Sequence, residues 1–212
     1  MPDAPAPSVQ RPYTYLALGD SYTIGEALPL SASFPYQLVQ LLRRSGVAVA
    51  APEIVAVTGW TTGELLTAMD ERNFLPAYDF VTVLVGVNNQ YRGYALEEYR
   101  TEFEEVLRRA LALCPRGAAG VVVLSIPDWG VTPFAAGRNR AQIAAETDAF
   151  NEVCSAVATG YGVAFVDVTG LSREAAENPA LLAADGLHPS ALEYARWAAL
   201  LADFFAGAVS KL

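Results

Sequence analysis

The chain has 212 residues, which fits one domain and allows a full core, since a compact fold of this size buries roughly 70% of its unfolded surface. With 53% hydrophobic and 17% charged residues it is too apolar and too weakly charged to be disordered. Its 14 basic and 23 acidic residues give a net charge of -9, and no basic patch is visible, the pairs Arg43-Arg44 and Arg108-Arg109 being isolated, so nucleic acid is excluded as an expected partner.

Residues 1–12 (MPDAPAPSVQRP) read as a flexible lead, with a single domain expected over 13–212. The lead shows neither an apolar h-region nor a basic n-region, so a cytoplasmic protein is expected; a mature form with its signal already removed is the alternative. Residues 13–18 form a β-rich run ending at Gly19-Asp20-Ser21. Over 33–44, Phe34, Leu38, Leu41 and Leu42 fall at helical spacing. The stretch 47–57 is β-branched, and Pro52 makes 53–57 its better strand. Residues 80–85 are nearly all apolar, as a strand covered on both faces should be. Residues 96–114 put Tyr99, Phe103, Val106, Leu107, Ala110 and Cys114 on one stripe, with Glu and Arg opposite. A second buried strand follows at 121–126, then a long helix at 138–161 through Ile143, Phe150, Val153 and Val157, and a fifth strand at 163–167.

Residues 192–209 close the chain as a helix, with Trp197, Leu200, Leu201, Phe204 and Phe205 expected to face inward. Its apolar run, 197–209, is broken by Asp203 and falls short of the roughly 18–20 residues a membrane span needs. Cys114 and Cys154 both sit on apolar helix faces and read as buried free thiols. Two Cys and one His do not make a usual structural zinc site without carboxylate help, so no metal is expected.

Five short apolar strands separated by helices imply an α/β fold, a three-layer α/β/α sandwich on a parallel sheet. Ligand sites in such folds lie beyond the carboxyl ends of the strands, where the strand order reverses. Chemistry is therefore expected just after residues 18, 57, 85, 126 and 167.

The one histidine, His188, lies in Asp185-Gly-Leu-His-Pro-Ser190. Histidine is the usual general base for a serine nucleophile, and the Asp-x-x-His spacing lets Asp185 approach the ring nitrogen facing away from substrate. Pro189 suits the first turn of the last helix and puts His188 on the loop before it. A surface His beside a helix cap is the plain alternative. Ser21 follows the first strand directly, where a strand-to-helix turn exposes the hydroxyl and sets the Ser21 N–H at a helix start. Its plain alternative is a helix N-cap, a position Ser favours. The Gly-x-Ser-x-Gly elbow of the α/β-hydrolases is absent, because Thr23 stands at the second Gly position. Gly59 and Asn88 follow the second and third strands. Each could donate a hydrogen bond to a developing oxyanion; Gly59 could equally be an ordinary turn glycine, and Asn after a strand most often serves turn chemistry.

Four blocks together resemble the SGNH hydrolase superfamily, the GDSL esterases or lipases. Gly19-Asp20-Ser21-Tyr22 resembles its first block, with Tyr22 in place of the usual Leu. Thr58-Gly59-Trp60-Thr61, Gly86-Val87-Asn88-Asn89 and Asp185-Gly-Leu-His188 resemble the others, in the family's order. The resemblance implies a flavodoxin-like sheet of order 2-1-3-4-5. It also implies Ser21 as nucleophile, His188 as base, Asp185 as its orienting partner, and an oxyanion hole of Ser21 N–H, Gly59 N–H and the Asn88 side chain. No cofactor is implied. Two departures stand out: Asn89 replaces the usual Asp, which touches the hydrogen bonding of its loop, and Tyr22 is expected to narrow the pocket mouth.

The expected partner is thus a small-molecule ester, with short-acyl, lysophospholipid and acetylated-sugar esters all open. Trp60 and Trp129 follow strand ends and read either as pocket walls or as ordinary packing. Two other functions remain: an acyltransferase using the same nucleophile, and a flavodoxin-like binding protein, whose phosphate loop Ser21-Tyr-Thr-Ile-Gly25 faintly resembles. The oligomeric state is not legible in the sequence.

Overall fold

In the computed structural model, which describes residues 11–209, five parallel strands form one sheet of order β2-β1-β3-β4-β5. The strands are β1 (Tyr15–Gly19), β2 (Glu53–Ala56), β3 (Phe80–Leu84), β4 (Val121–Leu124) and β5 (Ala164–Val166). The helices are α1 (Ser21–Ile24), α2 (Phe34–Arg44), α3 (Thr62–Glu71), α4 (Val87–Tyr91), α5 (Leu96–Leu113), α6 (Arg140–Gly160), α7 (Thr169–Arg173) and α8 (Ala191–Val209). The three-layer α/β/α arrangement and the strand order both match expectation. Of the expected lead, residues 1–10 lie outside the described residues, and Arg11 pairs with Asp79 at 2.7 Å.

The central strands β1, β3 and β4 are buried at every position, which their unbroken apolar composition allows only with helices on both faces. Helices α2 and α8 pack together on one face, while α3, α5 and α6 pack side by side on the other. Phe205 of α8 lies 4.5 Å from the Phe80 ring of β3, and Tyr99 of α5 lies 4.7 Å from Phe150 of α6. The Tyr15 hydroxyl, buried in β1, satisfies its polarity on Thr82 of β3 at 2.8 Å. Both cysteines are free and buried, and no helix among the described residues is long and apolar enough to cross a membrane.

Three local expectations are corrected. Leu200 faces solvent, 41% exposed, because the inward stripe of α8 runs through Trp197, Ala198, Leu201 and Phe205. Pro189 lies ahead of the first turn of α8, whose start is capped instead by Ser190, its Oγ accepting from Glu193 N at 3.3 Å. The third is α3, a helix between the second and third strands where the apolar pattern predicts none. It buries only Thr62, Leu65 and Met69, too thin a stripe to announce a helix, yet Thr61 and Glu64 form a reciprocal capping box at its start.

Candidate active site

The order reversal between β1 and β3 opens a crevice at the carboxyl edge of the sheet, and the loops after β1, β2 and β3 converge there. β1 ends at Gly19, where a Cβ would run into the Thr23 side chain and the Leu84 carbonyl, so only glycine lets the chain turn this tightly against β3. Asp20 then serves as N-cap of α1, its Oδ1 accepting from Tyr22 N at 3.0 Å. Ser21 is thereby the first residue of the helix and not its cap. Its hydroxyl is left free for another partner.

That partner is His188, whose Nε2 lies 3.0 Å from Ser21 Oγ. The other ring nitrogen, Nδ1, is 2.6 Å from Asp185 Oδ2, while Asp185 Oδ1 accepts from Leu187 N and His188 N, each at 3.0 Å. A carboxylate on Nδ1 leaves Nε2 as the nitrogen able to accept the serine proton. Burial works against the charge of Asp185, but the hydrogen bonds from His188 and the two backbone amides outweigh it and hold the carboxyl below its ordinary range. The ring of His188 is buried, and the loop carrying it is pinned by Ala183 N to His188 O at 2.7 Å.

Asn88 lies on α4 just after β3. Its Nδ2 donates to Trp60 O at 2.9 Å and points toward Asp20 Oδ2 at 3.4 Å. Ser21, Asn88 and His188 together form the polar end of a cavity of about 120 Å³. Its remaining wall is apolar: Tyr22, Val87, Tyr91, Trp129, Phe134 and Leu187. Of the two tryptophans, Trp129 lines this cavity with its Nε1 held by Gln90 Oε1 at 2.7 Å. Trp60 packs on the core and contributes only its carbonyl. Tyr22 is 3% exposed and sits within the wall, not at the mouth.

Gly59 is not among the residues lining the cavity. Its φ of +87° is a conformation glycine adopts without strain, and its N–H makes no hydrogen bond among the described residues. The loop is clamped from both sides. Arg92, paired with Glu64 at 3.3 Å, donates to Gly59 O at 2.5 Å, and the Thr58 hydroxyl donates to Glu26. Asn89 is fully buried; its Oδ1 accepts from Thr62 N at 3.0 Å and its Nδ2 donates to Thr62 Oγ1 at 2.7 Å.

Sequence reading missed Tyr91, Phe134, Arg92 and Asp20. Tyr91 follows Asn88 by three residues, the helical spacing that puts it on the same face of α4. Nothing in the sequence links Phe134 to the site. Burial pushes the Asp20 carboxyl up to about 7, offset in part by the Tyr22 amide and the Asn88 side chain. Among the described residues no group of three His, Cys, Asp or Glu side chains could hold a metal ion.

Residues 17–196 match the model of the GDSL-like lipase/acylhydrolase family. No curated protein matches the chain. Among solved structures, the lipase/acylhydrolase from Enterococcus faecalis is 20% identical with a TM-score of 0.74, covering 92% of this chain and 96% of its own. TesA is 21% identical with a TM-score of 0.66, covering 92% of this chain and 97% of its own. The acetylxylan esterase Axe2 from Geobacillus stearothermophilus is 20% identical with a TM-score of 0.66, covering 93% of this chain and 94% of its own. At these identities the likeness speaks for the fold.

Proposed function

This chain belongs to the GDSL-like lipase/acylhydrolase family, and from that premise we propose that it is a serine esterase acting on short-acyl carboxylic esters through an acyl-enzyme on Ser21. The observation that carries the reading is the continuous path from Asp185 Oδ2 through His188 to Ser21 Oγ, with contacts of 2.6 and 3.0 Å. His188 Nε2 takes the Ser21 proton as Oγ attacks the ester carbonyl carbon. The carbonyl oxygen becomes an oxyanion, met by Ser21 N–H, by Gly59 N–H and by the Asn88 Nδ2–H that gives up its 3.4 Å contact with Asp20 Oδ2. As the C–O bond to the alcohol breaks, His188 returns the proton to the leaving oxygen. Water then repeats the sequence on the acyl-enzyme and releases the acid. Asp185 fixes the imidazole tautomer and stabilises the imidazolium formed at each step.

Acyl size follows from the cavity. A space of about 120 Å³ is well below the roughly 300–1,000 Å³ of pockets that enclose drug-sized ligands, and its apolar wall suits a short hydrocarbon. Axe2, a neighbour in fold, is described as an acetylxylan esterase, and an acetyl group is the kind of substituent such a cavity fits.

The test is hydrolysis of p-nitrophenyl esters from acetyl to dodecanoyl by wild type, Ser21→Ala and His188→Ala. We expect wild-type turnover to peak at the short end and each variant to lose at least about 10³-fold in kcat. Full activity in folded Ser21→Ala would remove the nucleophile and the mechanism with it.

A further inference from the structure

Tyr22 stands next to Ser21, in a position where the resemblance expects Leu. Its ring tilts against the imidazole of His188, with centroids 5.0 Å apart. It lines two spaces: the cavity of about 120 Å³ at Ser21, and a void of about 10 Å³ bordered by Ala175, Leu181, Leu182 and Pro189 and also by polar residues, Asp128 and Glu193 among them. The side chains common to both spaces are Tyr22, Trp129 and Leu187. Trp129 is tied to Gln90, and Leu187 belongs to the loop that presents His188. Both are fixed by other duties. Tyr22 is the member of the wall whose side chain makes no hydrogen bond among the described residues and lies outside that loop.

We propose that Tyr22 is the partition that sets acyl-chain length: its ring ends the cavity at Ser21, and its removal joins the two spaces into a deeper acyl channel. The proposal rests on Ser21 as the acylated residue. Protein interiors are close-packed, so an acyl chain cannot extend past a buried ring without displacing it. Each further methylene that finds apolar surroundings is worth about fourfold in kcat/KM, so opening the partition changes the ranking of esters and not only the rate.

The experiment compares kcat/KM for p-nitrophenyl hexanoate and acetate within each protein, for wild type, Tyr22→Phe, Tyr22→Leu and Tyr22→Ala. Taking the ratio inside one variant cancels any loss from poorer His188 alignment, which slows both esters alike. The hexanoate:acetate ratio is expected to stay within about twofold in Tyr22→Phe, to rise in Tyr22→Leu, and to rise at least tenfold in Tyr22→Ala. Leu187→Ala, which thins the same wall from the other side, is expected to raise the ratio as well and serves if the position-22 variants do not fold. An unchanged ratio in the folded wall variants overturns the partition. Stoichiometric labelling by diethyl p-nitrophenyl phosphate, lost in Ser21→Ala, separates the two readings. With labelling intact and the ratio unmoved, only the partition fails; without labelling, the nucleophile and the partition fail together.

Discussion

His188 Nε2 lies 3.0 Å from Ser21 Oγ although 167 residues separate them in the chain. One comes from the turn after the first strand and the other from the loop before the last helix. What brings them together is the packing of α8 beside α2 on one face of the sheet, which delivers the chain's last loop to the carboxyl end of β1.

Asp185→Asn keeps the size of the side chain but can present an N–H to His188 Nδ1. That favours the tautomer carrying its proton on Nε2, which is unable to accept from Ser21. We expect kcat to fall by about 10²-fold or more with KM little changed, measured by steady-state hydrolysis of p-nitrophenyl acetate. A change confined to KM would show that Asp185 does not act through the imidazole.

Arg92 reaches Gly59 O and Glu64 together, so it holds the loop whose N–H is proposed to meet the oxyanion. Arg92→Ala frees that loop, and the expected result is a drop of about tenfold in kcat without a matching rise in KM. The magnitude is set below the roughly 10²–10³-fold cost of deleting an oxyanion donor outright. Arg92→Lys, which keeps one donor, is expected to recover part of the loss; identical defects in both variants would argue against positioning through the Gly59 carbonyl.

Asp20 gives a pH dependence of stability. Burial raises its folded-state pKa from 3.8 to about 7, so between these values the folded protein holds a proton that the unfolded chain releases. Stability from this group is therefore complete below about pH 4 and is lost as pH rises toward 7, by an amount no larger than about 4 kcal/mol. Asp20→Asn retains the cap acceptor and cannot ionise. Urea denaturation should find it gaining on wild type from pH 4 to pH 8, and a pH-independent difference would show that Asp20 does not titrate there.

The Asp185 carboxylate works in the opposite sense. Its lowered folded pKa contributes stability that is present above the ordinary carboxylate range and is lost as pH falls through the folded value. Wild type should therefore weaken in strong acid by an amount that Asp185→Asn does not share, read from the same titration extended below pH 4.

Asn89 occupies the place of an expected Asp, and Glu102 supplies the reason. The Thr62 hydroxyl accepts from Asn89 Nδ2 and donates to the Glu102 carboxylate. An Asp at 89 would bring a second acceptor to a hydroxyl that has one hydrogen to give. Asn89→Asp should cost about 1–3 kcal/mol in urea denaturation, and adding Glu102→Gln, which supplies a donor, should return at least half of it. Additive losses in the double variant would mean the two side chains do not share Thr62.

The sequence alone carried the fold. The strands β1, β3 and β4 and the helices α2, α5, α6 and α8 were legible because apolar periodicity reports which side of an element is covered, and these elements have a full buried face; β2 and β5, only partly buried, were legible from their β-branched and apolar composition. Helix α3 escaped because its buried stripe is thin, and its identity rests on one capping box. The positions of Ser21, Asn88 and His188 were legible because each lies within four residues of the end or start of a recognisable element. These are local relations, and a chain expresses them wherever its neighbours along the sequence decide the conformation.

The tertiary structure decided the rest. Asp20 and Ser21 are both good helix caps, and only the backbone leaving β1 against β3 makes Asp20 the cap and leaves the Ser21 hydroxyl for His188. Phe134, Tyr91 and Leu187 meet in one wall, Arg92 reaches across to Gly59, and Thr62 is shared by Asn89 and Glu102. Each of these partners is chosen by distance through space after the sheet and its helices have packed. Residue type and spacing along the chain limit what a side chain can do, while the close packing of distant elements selects which of its possible partners it meets.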